Sequence, residues 1–138
     1  MNQKIYEYIP KISHSHFLLT NKRFSQLGLY KGQPGILLFI NENKKVTNSQ
    51  IAKRFNVKPS TVTVVINRMI KNGILNKNSE SNICLTRKGK SLLDESKKIM
   101  DDIEKVVYKG FSREEKKQVN SYFERIYLNL KTELGGLE

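Results

Sequence analysis

Thr47–Gly89 limits what this chain can fold into more than any other stretch, because start and stop signals alternate along it at close intervals. Thr47 with Gln50 three residues later forms a capping box, in which a hydroxyl and an amide satisfy each other's orphan backbone N–H groups. It opens a short apolar-faced helix through Ile51-Ala52-Lys53-Arg54-Phe55. Asn56-Val57-Lys58-Pro59 then turns the chain, with Asn56 where a tight turn needs a residue tolerant of positive φ. From Ser60 to Asn72, residues Val62, Val65, Ile66, Met69 and Ile70 follow the i, i+3, i+4, i+7, i+8 pattern of one helical face. The β-branched run from Thr61 to Ile66 favours a strand by propensity, but the 3.6-residue period and the Asn72-Gly73 stop favour a helix. Ile74–Lys77 and Asn82–Leu85 flank the turn Asn78-Ser79-Glu80-Ser81 as a hairpin, with Ile83 and Leu85 inward and Cys84 outward. Lys45-Val46 can pair with it as a further short strand. Helix, turn, helix, hairpin and helix in that order make a winged helix-turn-helix, a shape that sets one helix into the DNA major groove.

The flanks read as long helices. Ile5–Leu27 is mostly helical in pattern, and Pro10, best tolerated in a first turn, places the start of the main helix near Ile9 or Pro10. Gly28 stops it, and Pro34–Asn41 forms a short apolar helix. Thr86 caps a helix over Arg87–Lys109, Gly110 ends that helix, and the capping box Ser112/Glu115 opens a last one to about Leu134. The expected fold is mainly α: a winged helix-turn-helix with a short β-hairpin wing, and N- and C-terminal helices forming a dimerisation region. One domain is expected over residues 1–138, with the lobe at about 33–89 and the dimerisation helices at about 5–28 and 90–134. A chain of 138 residues can bury a core, yet 38% apolar residues is low for a compact monomer. Amphipathic helices sharing a core with a second copy reconcile the two.

Charge adds a partner. The chain carries 25 Lys+Arg against 13 Asp+Glu, a net charge of +12. Between Lys44 and Lys98 stand thirteen basic residues and three acids, Glu80, Asp94 and Glu95. A local positive surplus is the footprint of a polyanion, or simply a solvated face; its coincidence with a helix-turn-helix pattern points to double-stranded DNA. The single Cys84 excludes an intrachain disulfide. With no apolar run of membrane-spanning length and no signal-peptide core at the N-terminus, the expected address is the cytoplasm, with no membrane partner. His14 and His16 lie two apart, about 200° around a helix, and cannot chelate one metal, so no metal site is expected. The sequence has no nucleophile elbow, phosphate loop or zinc-protease helix, which argues against an enzyme and names no cofactor.

Candidate DNA contacts lie on the second helix of the motif. Arg68 suits guanine and Asn67 suits adenine in bidentate contacts, while Ser60, Thr61 and Thr63 can reach bases or phosphates. Val64, if outward, gains a reason to be apolar from a thymine methyl. Arg68 could equally pair with a phosphate or a nearby acid and read no base. Thr47, Asn48, Ser49, Lys53, Lys58, Lys71, Lys77, Arg87 and Lys88 are candidates for phosphate contact. Phe17, Phe24, Tyr30 and Phe39 could line a pocket for a small aromatic effector between the first, second and fifth helices, or could be core and dimer interface. Cys84 is either a redox-active thiol beside Lys77 or a passive half-exposed one.

With these residues laid out, the chain resembles the MarR (multiple antibiotic resistance regulator) family of bacterial transcription factors along nearly all its length. The likeness is carried by Leu27-Gly28-Leu29 with Gly32-Gln33 and Ile36-Leu37-x-x-Ile40, and by Val46-Thr47-x-x-x-Ile51-Ala52-x-x-Phe55-x-Val57. Ser60-Thr61-Val62-Thr63, Arg68-Met69-x-x-x-Gly73-Ile74-Leu75 and Leu85-Thr86-x-x-Gly89 continue it. The resemblance implies a dimer through the first and last helices, a pseudo-palindromic operator, and repression relieved by a small ligand or by oxidation. Two departures stand out. The wing is short and lacks the family's Asp-x-Arg element, having Lys77 as its one basic residue, and Lys58 replaces the usual small polar cap. A minor-groove arginine therefore cannot be assigned. The reduced wing also leaves room for a dimeric protein-interaction scaffold or a nonspecific architectural DNA binder.

Overall fold

The computed structural model describes residues 4–135. Six helices and one hairpin follow in order: α1 (Lys4–Ser25), α2 (Gln33–Glu42), α3 (Asn48–Phe55), α4 (Pro59–Lys71), β1 (Leu75–Lys77), β2 (Ile83–Leu85), α5 (Arg87–Val107) and α6 (Arg113–Glu133). They divide into two compact units, Met1–Ile103 and Glu104–Glu138. The mainly helical winged helix-turn-helix expected from the sequence is the fold found.

The first unit is built around Leu37, Val46, Ile51, Ile66, Met69 and Leu75, all essentially inaccessible to solvent. Phe24 from α1 and Leu93 and Ile103 from α5 join the same cluster. Three helices of this unit end in one way. After α1, α3 and α4 the chain passes through Gly28, Asn56 and Gly73 at φ 71°, 51° and 74°. The next residue then donates its N–H back across the turn: Leu29 to Phe24 O at 3.2 Å, Val57 to Ala52 O at 3.0 Å, and Ile74 to Met69 O at 2.9 Å. These six-to-one bonds satisfy carbonyls the helices leave orphaned and fold each following segment back onto the core. Leu29 and Ile74 are thereby buried, at 1% and 4% exposure.

Within the motif, both halves of the Thr47/Gln50 box are present, at 3.3 and 3.0 Å. α4 opens on Pro59, where a missing N–H costs nothing, and Lys58 provides no side-chain cap. The hairpin pairs Leu75 with Leu85, Asn76 with Cys84 and Lys77 with Ile83. Val46 bridges to Ile83, so the short third strand expected before α3 is a single bridge. The side chain of Asn78 builds the wing tip by accepting from the N–H groups of Glu80 and Asn82, at 2.9 and 3.0 Å.

One boundary departs from the sequence reading. α1 begins by Lys4, with Pro10 inside it rather than at its start. The proline withdraws only one N–H, and α1 is exposed on every side from Lys4 to Leu18, so solvent can serve the freed carbonyl.

The second unit is simple. The end of α5 turns at Gly110, φ 85°, into the Ser112/Glu115 capping box of α6. Tyr108 stacks edge-on against Phe111 at 5.9 Å, and its hydroxyl bonds the Asn120 side chain. α6 has 21 residues and buries none of them.

Candidate nucleic-acid interface

α4 is divided cleanly by its period. Val62, Ile66 and Met69 are buried, while Ser60, Thr61, Thr63, Val64, Asn67, Arg68 and Lys71 are all exposed. Seven of the candidate contacts thus share the solvent side of one helix. Val64 is 58% exposed, an apolar β-branched side chain on a face where burial gives it no purpose. Thr63 turns its hydroxyl back to Pro59 O at 3.0 Å, which leaves its methyl as the outward group.

The other candidates flank this face. Thr47 is half-buried with its hydroxyl accepting the Gln50 N–H, Ser49 is exposed, and Asn48 is half-buried with Oδ1 enclosed and unpartnered. Lys53, Lys58 and Lys77 are exposed at α3, the start of α4 and the end of β1. Arg87 and Lys88 are exposed in the first turn of α5. Among the described residues, Arg68 has no acidic partner, and none of Lys53, Lys58, Lys71, Lys77 and Arg87 is in an ion pair. Their charges are therefore uncompensated locally, as a surface for a polyanion requires. Lys88 differs: its Nζ donates to Asn72 O at 2.9 Å, just past the last turn of α4. Nothing in the sequence marks that bond, since sixteen residues separate the partners.

The wing is sparse. Lys77 is its basic residue, and Cys84 is exposed with its thiol donating to Asn76 O at 3.4 Å.

An open apolar cavity of about 440 Å³ lies under α4, between the start of α2, α3 and the first turns of α4. Ile36, Ile51, Phe55, Val62 and Val65 form its walls, with Lys31 and Thr61 as polar members. None of the four aromatics expected to make a pocket lines it. Phe24 is core, Phe39 packs edge-on against Phe55 at 6.0 Å, Phe17 lies exposed under the Lys31 ammonium, and Tyr30 is exposed. These side chains belong to different surfaces, because clustering of aromatics in sequence does not fix the direction in which each points.

The MarR family model matches residues 29–82, from within the α1–α2 connection to the turn of the wing. Over those residues the chain is similar to the MarR family. The transcriptional regulator AdcR of Streptococcus pneumoniae is 31% identical over 81 residues, covering 59% of this chain and 55% of that protein. An HTH-type transcriptional regulator of Methanocaldococcus jannaschii is 39% identical over 67 residues, 48% of this chain and 51% of that one. The chain thus spans about half the length of the curated relatives it matches. In three dimensions it is similar to MepR of S. aureus, solved as a complex with DNA: TM-score 0.76 at 21% identity, over 94% of this chain and 99% of that one. The MarR-family match falls on α2, α3, α4 and β1 and stops before β2; α3 and α4 carry most of the candidate contacts.

Proposed function

We propose that this chain is a dimeric, sequence-specific DNA-binding transcriptional regulator, acting as a repressor on a pseudo-palindromic operator and released by a small ligand. The observation that carries the reading is the exposed face of α4. There an arginine without an acidic partner, an asparagine, three hydroxyl side chains and an outward valine stand on the helix that this fold offers to the major groove. The regulators it resembles in sequence, and the DNA complex of MepR, support the same partner. The apolar stripes left exposed on α1 (Ile5, Ile9, Ile12) and on α6 (Phe123, Tyr127, Leu130) support a homodimer, since large exposed apolar patches mark contact surfaces. The cavity against α4 supports a small, largely apolar effector, being within the size range of ligand pockets (about 300–1,000 Å³). No helix of the described residues is long and apolar enough to cross a membrane.

Selection of fragments from random duplex DNA, repeated at several salt concentrations, tests the proposal. A palindromic motif with a large specific-to-nonspecific ratio is the expected result. Salt-steep binding without a motif would replace the regulator with an architectural binder, and absence of binding would leave a protein-interaction scaffold.

A further inference from the structure

The corner where α4 passes into the wing presents three consecutive backbone carbonyls, Asn72, Gly73 and Ile74, and all three are met by the first turn of α5. Lys88 Nζ donates to Asn72 O at 2.9 Å. Thr86 Oγ1 lies 2.5 Å from Gly73 O and 3.0 Å from Ile74 O, and the Thr86 N–H donates to Ile74 O at 3.1 Å. The same hydroxyl accepts the Gly89 N–H at 3.0 Å, so it caps α5 while holding the corner. Gly89 is buried, and a Cβ there would stand 2.2 Å from Ile74 O. Only a glycine lets the two backbones approach this closely.

The geometry points to Thr86–Gly89 as a latch that sets the pitch of the recognition helix and wing together, with Lys88 as a positioning residue rather than a phosphate contact. An ammonium at the C-terminal end of α4 is attracted by the negative end of the helix dipole and serves a carbonyl the helix cannot satisfy itself. The bond reaches across sixteen residues of sequence, from α5 to the exit of α4, and so ties the orientation of the exposed α4 face to α5. The inference rests on the proposed reading of α4 as the DNA-contacting helix.

Lys88→Met removes the ammonium while keeping much of the stem, and Lys88→Arg restores a cationic donor. Two measurements on the full chain decide the matter. Amide exchange in the free protein should speed up for Asn72, Gly73 and Ile74 in Lys88→Met by about two- to fivefold, with Lys88→Arg close to wild type. In DNA binding, Lys88→Met should lower the specific-to-nonspecific ratio while the slope of log K against log salt stays at the wild-type value. A slope reduced by about one would make Lys88 a phosphate contact and overturn the latch. Unchanged exchange, or an unchanged specificity ratio, would overturn it as well. A wild-type chain that binds no DNA would defeat the regulator reading, and the exchange measurement would still judge the latch.

Discussion

α3 and α6 begin with the same device and end in opposite conditions. Each opens on a hydroxyl capping box, Thr47/Gln50 and Ser112/Glu115. α3 has eight residues and buries Ile51 and Ala52, whereas α6 has 21 and buries none. Local signals are thus enough to start a helix but not to stabilise it. The lobe around α3 closes its own core, while α6 is an amphipathic helix whose apolar side lacks cover in the single chain, and isolated helices are marginal in water. The contrast separates a lobe whose core closes within one chain from a helix that buries none of its residues there.

Deleting Gly110–Glu138 should break that contrast most severely. Sedimentation should show the proposed dimer lost, while circular dichroism still reports a cooperatively folding lobe; a stable dimer would refute the role given to α6. Next in size, Ile66→Ala, at a side chain with 0% exposure, should cost about 2–5 kcal/mol in denaturant unfolding. Phe123→Ala, at 52% exposure, should instead make the melting temperature more dependent on protein concentration. Arg68→Ala should weaken operator binding by about 1–3 kcal/mol with the dimer intact. Unchanged affinity in the folded variant would remove Arg68 from the interface. Smallest of all, Thr47→Ala should destabilise the lobe by about 1 kcal/mol. Ser112→Ala should have less effect on unfolding of the lobe and act mainly on helicity and dimerisation, which thermal melts at two concentrations would separate.

What the sequence made legible was what neighbouring residues decide. Both capping boxes, the left-handed turn at Asn56 and the outward Val64 depend on short spacings or on strict period. Pro10 misled because the cost of proline depends on whether the freed carbonyl meets solvent, and exposure is a property of the tertiary structure. The bond from Lys88 Nζ to Asn72 O is not legible in the sequence, because a lysine at a helix start carries no sign of which distant carbonyl it will reach. The directions of Phe17, Phe24, Tyr30 and Phe39 are not legible for a similar reason: residue type proposes burial, and only packing assigns the face. The α4 cavity is lined by Phe55 and by aliphatic residues, among them Ile36, Ile51 and Val62, whose periodicity also serves the core.

The Phe55 ring on the cavity wall has a consequence for how this domain can drift. Gly35, in the first turn of α2, would put an alanine Cβ 3.2 Å from Phe55 Cε1, closer than ordinary contact. Alanine favours the helix over glycine, yet the ring must yield to admit it. Phe55 is already pressed by the Phe39 edge and overlain by the Arg54 guanidinium at 5.3 Å. Positions 35 and 55 are therefore historically bound: among descendants of this chain, alanine at 35 should follow a smaller side chain at 55 and not precede it.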